Sequence, residues 1–259
     1  MENREHVISI DATKCVGCQM CVKDCPQGNI FVGSDGKATV KEQNCMKCGH
    51  CTAICPVAAV KISGFSELPR DLKDMKGINS DDLMDAIMKR RSIRNFQDAP
   101  VEEEKFTKII EAGRWTPTGR NSQGVRYIVL DKEKLELEGF AVKVFKRLLK
   151  TINMFSKTYR DFVIDDNFFF KKAPLVIVIA ADNSVNGALA AGNMALMAES
   201  MGLGVLYSGF FTTAAKLSPK IRKRLGVKKK ELVMTLVIGY PAVKYKRTAQ
   251  KEEPMIIRK

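Results

Sequence analysis

All eight cysteines of this 259-residue chain lie between Cys15 and Cys55. Their spacing is C-x2-C-x2-C-x3-C-P, and the whole run, including its proline, recurs thirty positions later. The first run is Cys15, Cys18, Cys21, Cys25 and Pro26, and the second is Cys45, Cys48, Cys51, Cys55 and Pro56. A repeat of this length indicates an internal duplication within one small domain. Cysteines crowded in this way favour metal binding over disulfides in a reducing compartment.

The spacing suits a cubane [4Fe–4S] cluster, in which each iron takes one thiolate. Three cysteines spaced by two residues can surround three corners of one cube, and the cysteine before proline ligates the other cluster. The sequence therefore predicts two clusters, one held by Cys15, Cys18, Cys21 and Cys55 and the other by Cys45, Cys48, Cys51 and Cys25. The pattern resembles the bacterial two-[4Fe–4S] ferredoxin over roughly residues 5–63. The alternative is a pair of four-cysteine zinc sites, although zinc ribbons ordinarily use two C-x2-C pairs.

The cysteine-rich part is predicted to form a separate domain over residues 1–63. Short strands are predicted at Val7–Ile10, Ile30–Phe31, Ala38–Val40 and Val60–Ile62. Residues 64–79 are predicted to be a linker, because they contain glycines, a proline and many charges but no sustained apolar period. Residues 80–259 then form the second domain.

The second domain mixes helices and strands. Helices are predicted at Ser80–Arg91 with Ser80 as the N-cap, at Val101–Arg114 and at Val185–Met201. Strands are predicted at Val125–Leu130, Leu175–Ala181, Val205–Phe210 and Leu232–Tyr240. This order predicts an α+β fold, a sandwich with a central sheet. The basic, amphipathic segment Val142–Phe162 is predicted to be helical, and a membrane-surface helix is an alternative for it.

Four ordered motifs resemble the FMN-dependent nitroreductase family over about residues 80–250. They are Arg90–Arg94 (RRSIR), Trp115–Gln123 (WTPTGRNSQ), the glycines Gly202 and Gly204 leading into Tyr207-Ser208-Gly209, and Gly239-Tyr240-Pro241 before Lys244–Arg247. The resemblance implies a nitroreductase-like α/β sandwich that forms an intertwined homodimer with two FMN sites at the interface. It also implies that the variable region around residues 142–162 shapes the substrate pocket.

The resemblance also implies the FMN contacts. Guanidinium groups match phosphate well, and the implied phosphate contacts are Arg90, Arg91, Ser92 and Arg94, with Lys246 and Arg247 as a second clamp. Further FMN contacts are implied for the loop residues Pro117, Thr118, Gly119 and Asn121, and for Tyr207, Ser208 and Gly209 beside the isoalloxazine ring. No catalytic acid or base is predicted.

The formal net charge is +14, and +13 of it lies beyond residue 62. This surplus suits anionic ligands such as a flavin phosphate, a nicotinamide dinucleotide or an acidic protein partner, or it is a solvated basic surface. Nucleic acid is not predicted, because no helix-turn-helix, zinc-finger or RNP signature is present. The chain shows no apolar run that could span a bilayer and no signal-peptide pattern, so a cytoplasmic location is expected.

Together these features predict an iron–sulfur flavoprotein oxidoreductase that passes electrons between two [4Fe–4S] clusters and FMN to reduce a small electron-poor substrate. The donor is expected to be a one-electron protein or NAD(P)H, although no complete GxGxxG follows a strand. Three alternatives remain open. They are an electron carrier with a docking domain, a zinc-stabilised interaction protein, and an NAD(P)H-dependent FMN reductase whose clusters are exit relays.

Overall fold

The computed structural model describes residues 6–41, 45–155 and 161–259. The chain divides into two compact units. The first consists of residues 1–77 and the short segment 119–122, and the second consists of residues 78–118 and 123–259.

The first unit is built from two similar halves. Each half has two short strands and one short helix: β1 (Ile8–Ile10), α1 (Met20–Lys23) and β2 (Ile30–Val32), then β3 (Ala38–Val40), α2 (His50–Ala53) and β4 (Val60–Ile62). Strand β1 pairs antiparallel with β4, and β2 pairs antiparallel with β3. The four predicted strands are confirmed to within one residue at each end.

The duplication extends to the backbone conformation. Left-handed φ angles occur at equivalent positions of the two halves: 69° at Gly17 and 57° at Lys47, 62° at Gln19 and 76° at Gly49, and 60° at Gly28 and 50° at Ala58. Three of these six residues are not glycine, although a left-handed conformation is costly for residues with a Cβ. The cysteine-bearing loops therefore impose one backbone path on both halves.

The second unit is an α+β sandwich, as predicted. Its elements are α3 (Ser80–Lys89), α4 (Glu103–Arg114), β5 (Val125–Val129), α5 (Lys134–Phe155), β6 (Leu175–Ala181), α6 (Ser184–Ser200), β7 (Gly204–Tyr207), α7 (Gly209–Leu217), α8 (Pro219–Leu225) and β8 (Leu232–Gly239). The four strands form one antiparallel sheet in the order β5-β6-β8-β7.

Strand β6 lies inside this sheet and is buried along its whole length. Its side chains alternate between the two faces, as in any strand. Val176 and Val178 pack into the core cluster that includes residues of α5 and α7. Ile177 and Ile179 pack into the cluster that includes residues of α4 and α6. The sheet is therefore covered by helices on both faces, which explains why β6 is a continuous apolar run.

The predicted N-cap of α3 and the predicted end of β7 were wrong. Asn79, not Ser80, caps α3, because its Oδ1 accepts hydrogen bonds from the amides of Asp81 and Asp82. The strand predicted to reach Phe210 ends at Tyr207, and Gly209 and Phe210 begin α7.

Helix α5 begins at Lys134, earlier than the predicted segment, and its described part ends at Phe155. Its apolar residues Phe145 and Leu149 are buried in the core, so its apolar face packs against the protein. Residues 156–160 of the predicted segment lie outside the described residues. Among the described helices, none is both long and apolar enough to cross a membrane.

Candidate functional site

The eight cysteines line two separate cavities in the first unit. The first cavity is lined by Cys15, Cys18, Cys21 and Cys55. The second is lined by Cys25, Cys45, Cys48 and Cys51. Each cavity thus takes three cysteines from one run and the last cysteine from the other, which is the grouping predicted from the spacing.

In each cavity, the buried cysteine is costly to deprotonate without a nearby positive charge. Burial, and then the neighbouring Cys45 and Cys48, raise the pKa of the Cys51 thiol to about 11. Burial also raises the pKa of Cys21, with Cys55, Cys15 and Cys18 adding to the effect. Ligating sulfurs must be deprotonated, so cationic irons would offset this cost.

Each cavity offers four cysteine sulfurs shared between the two runs, which is the donor set that a cubane cluster takes. Backbone amides also donate to the sulfurs that cross between the halves. The amide of Asn29 lies 3.3 Å from Cys25 Sγ, and that of Ala59 lies 3.2 Å from Cys55 Sγ. Such bonds are typical of iron–sulfur sites and adjust their potentials.

In the second unit, residues 90–94, the arginine segment that follows α3, are fixed against the sheet. Ser92 forms a parallel bridge to Val205, and the Ile93 amide donates to the Val205 carbonyl at 3.2 Å. Phe96 forms an antiparallel bridge to Pro241, just after β8. The residues of this segment that were predicted to contact the FMN phosphate therefore lie in an extended stretch beside β7.

Arg90 presents an unused hydrogen-bond donor. Its guanidinium lies 5.8 Å from the centre of the Tyr207 ring, and its Nη1 is buried without a hydrogen-bond partner among the described residues. Arg90 also interacts electrostatically with Glu199, whose pKa is raised by burial and lowered by this arginine. Because a buried unpaired donor is costly, Arg90 Nη1 is a candidate for contacting an anionic ligand.

Arg91 links the two groups of predicted phosphate contacts, residues 90–94 and residues 246–247. Its guanidinium lies 5.2 Å from the centre of the Tyr245 ring, and Tyr245 directly precedes Lys246 and Arg247, which are exposed. Arg94 is also exposed, and its Nη1 lies 3.4 Å from the Ser92 carbonyl. Tyr245 was not among the predicted contacts, although an aromatic residue inside a basic run was a usable signal.

Tyr207 and Ser208 are both tied to the protein. The Tyr207 hydroxyl donates to the Ala191 carbonyl at 3.2 Å, and the buried Ser208 hydroxyl donates to the Phe169 carbonyl at 3.0 Å. Ser208 thus uses its side chain inside the fold. Gly209 begins α7, and no described atom outside its immediate neighbours lies within 4 Å of the position a Cβ would take.

The Pro117–Asn121 loop is divided between the two units. Pro117 is exposed, and Thr118 Oγ1 accepts a hydrogen bond from the Gln123 amide at 3.0 Å. Gly119 and Asn121 belong to the first unit, where the Asn121 side-chain amide donates to the Lys47 carbonyl.

Fold and cysteine cavities together define a redox protein with an iron–sulfur module and an α+β catalytic unit. Residues 87–240 match the model of the nitroreductase family, and residues 7–56 match that of a 4Fe-4S dicluster domain. The chain belongs to the nitroreductase family, and the expected enzyme class, an oxidoreductase of this family, is confirmed.

Two of the similar proteins are named nitroreductases, and a third matches a shorter stretch of the chain. An NADH dehydrogenase/NAD(P)H nitroreductase of Methanothermobacter thermautotrophicus is 25% identical over 172 residues, which are 62% of this chain and 78% of that protein. One component of an ion-translocating oxidoreductase complex of Methanosarcina acetivorans is 42% identical over 48 residues, 18% of each chain. A nitroreductase of Desulfitobacterium hafniense, solved with bound FMN, superposes with a TM-score of 0.57 at 21% identity, covering 70% of this chain and all of that one. This last likeness confirms the fold.

Proposed function

We propose that this chain is an FMN-dependent iron–sulfur oxidoreductase that passes electrons between two [4Fe–4S] clusters and FMN to reduce a small electron-poor substrate. The observation that carries the proposal is the pair of four-cysteine cavities in the same chain as a nitroreductase fold. When bound, FMN exchanges electrons singly or in pairs, so it can couple one-electron clusters to a two-electron reaction.

The proposed FMN site uses the arginine segment beside β7. The unpartnered Nη1 of Arg90 and the exposed Arg94 supply donors for the phosphate, and Arg91 brings them close to the basic run at Lys246 and Arg247. Tyr207, which contacts Arg90, holds this arginine in place. The solved relative with bound FMN supports this choice of cofactor.

The electron donor is proposed to be a one-electron protein, which would reduce the clusters. A second candidate is an NAD(P)H-dependent FMN reductase with the clusters as exit relays. The name of the Methanothermobacter relative, which mentions NAD(P)H, favours this second candidate. A cytosolic location is proposed because eight free cysteines suit a reducing compartment.

A homodimer is proposed from the surface of the second unit. Helix α3 packs against α6, yet Leu83, Ile87 and Met88 on α3 are exposed, and so is Leu189 on α6. A cluster of large apolar side chains on a surface is typical of a protein interface. Size-exclusion chromatography with light scattering should give twice the chain mass of 28.9 kDa.

The proposed function is tested by the composition of anaerobically purified protein. We expect about eight irons and about eight sulfides per chain, as two four-iron clusters require, together with one FMN. A Cys48→Ser variant should lose iron and sulfide but keep FMN, because Cys48 lines only the second cysteine cavity. Iron and sulfide without flavin would support the electron-carrier alternative. Stoichiometric zinc without sulfide would refute the clusters.

A further inference from the structure

The two halves of the first unit differ at the position two residues after the first cysteine of each run. Lys47 in the second half is equivalent to Gly17 in the first, and both have left-handed φ angles, 57° and 69°. The Lys47 amide donates to Cys45 Sγ at 3.3 Å. In the described chain, which includes all of residues 15–18, Gly17 makes no equivalent bond to Cys15 Sγ. The second cavity therefore receives an additional donor to one of its sulfurs.

The same position also differs in charge. Lys47 is half-buried and lies two residues after Cys45, although its side chain does not line the second cavity, whereas the first half has no side chain at the equivalent Gly17. A side chain at position 17 is excluded sterically, because a Cβ there would lie 2.7 Å from the Gly36 carbonyl oxygen. At this position, therefore, only the second half carries a positive charge.

Both differences act in the same direction. Reducing a cluster adds one negative charge, which is stabilised by a nearby cation and by amide hydrogen bonds to the cluster sulfurs. The reduced state of the second cluster gains from Lys47 twice, through its side-chain charge and through its amide. The first cluster has neither contribution from Gly17.

We propose that Lys47 raises the reduction potential of the second cluster, held by Cys25, Cys45, Cys48 and Cys51, above that of the first. One electron from the donor that reduces the first cluster then passes to the second, so that the first is reoxidised and the second remains reduced. The module thereby collects electrons on the cluster beside Lys47. This inference rests on the proposed function, which supplies the two clusters.

The test is a redox titration of the full-length holoprotein followed by EPR. Lys47→Gly gives the second half the residue of the first and keeps the backbone amide, so it removes the charge alone. We expect the higher of the two cluster potentials to fall. At a fixed potential the oxidised-to-reduced ratio of that cluster should rise by about two- to thirty-fold, the range that Coulomb's law gives for one unit charge about 8 Å away at effective dielectric constants of about 80 to 20.

Two further variants serve as controls. Lys47→Arg keeps the charge and should leave both potentials unchanged. Gln19→Gly makes the same kind of change at a left-handed position beside the first cavity, with no loss of charge, and should also leave both unchanged. Cys48→Ser identifies the signal of the second cluster.

Two results would overturn the proposal: unchanged potentials in Lys47→Gly, or a shift confined to the cluster that Cys48→Ser leaves intact. Iron and sulfide analysis of every sample separates these outcomes from a failure of the proposed function. Protein without clusters would refute the proposed function itself, whereas two intact clusters with unshifted potentials would refute only the role of Lys47.

Discussion

Glu138 is a buried carboxylate whose removal should destabilise the second unit. It is 2% exposed, and its Oε1 accepts hydrogen bonds from the amides of Phe169 at 2.9 Å and Phe170 at 2.7 Å. The Phe169 carbonyl in turn accepts from the Ser208 hydroxyl, just before α7. Glu138 therefore orders the turn to which the end of β7 is attached.

Replacing Glu138 with alanine leaves two buried amides without an acceptor. Each such group costs about 1–3 kcal/mol. The alanine variant no longer has to bury a carboxylate, and this gain offsets part of the cost. We expect Glu138→Ala to lose about 3 kcal/mol of unfolding free energy, or about 6–12 °C in Tm for a unit of this size. Glu138→Gln keeps an acceptor oxygen and should lose about 1 kcal/mol or less.

The stability of the native chain and that of Glu138→Gln should also differ in their dependence on pH. Burial raises the pKa of Glu138, against the opposing effect of the Phe170 and Phe169 amides. Because the folded state holds this proton more tightly than the unfolded chain does, the contribution of Glu138 is greatest below its ordinary pKa. This contribution to stability falls as the pH rises from the ordinary pKa of a glutamate towards the raised pKa of Glu138. The stability of the native chain relative to Glu138→Gln should therefore decrease as pH rises above about 4.5.

Urea unfolding of the full-length chain, followed by far-UV circular dichroism at matched cofactor content, measures these effects. Glu136→Gln is the matched control, because Glu136 is exposed and pairs with Arg224; it should change stability by at most about 1 kcal/mol. A Glu138→Ala variant as stable as the Glu136→Gln control would refute the proposed role of the buried hydrogen bonds.

Three further predictions concern the cofactor sites. Cys25→Ser should perturb the EPR signal of the cluster associated with Cys45 and leave the other signal intact; loss of the other signal instead would contradict the crossed grouping. Replacing Arg91 and Arg94 together with alanine should release FMN in ultrafiltration, since each charge-assisted hydrogen bond contributes about 1.5–3 kcal/mol; unchanged FMN affinity would show that the phosphate lies elsewhere. Tyr245→Leu should weaken FMN binding only about two- to five-fold, the size of one exposed cation–π contact, and a loss as large as that of the double arginine variant would mean that Tyr245 contacts FMN directly.

The features that sequence predicted well are governed by local rules. The grouping of the cysteines followed from spacing, because ligation of a cubane fixes which corners a short loop can reach. The bounds of β6 were predicted correctly because a strand covered on both faces must be apolar throughout.

The features that sequence missed depend on contacts between distant residues. Val205–Phe210 has the composition of a strand, but Ser208 bonds to Phe169, thirty-nine positions earlier, and the chain turns into α7. The contact between Arg91 and Tyr245 likewise joins segments that are far apart in the sequence. Periodicity and composition carry no information about such pairs.

The most direct test of the proposed electron path compares the full-length protein with a shortened chain that begins at Asn79 and so keeps the cap of α3. FMN absorbance is followed by anaerobic stopped flow after mixing with a low-potential one-electron donor, once FMN binding has been verified for both proteins. We predict that FMN is reduced much faster in the full-length protein, because the clusters accept electrons singly and pass them on. Equal rates with this donor would contradict the account, because they would mean that the clusters are not on the path to FMN.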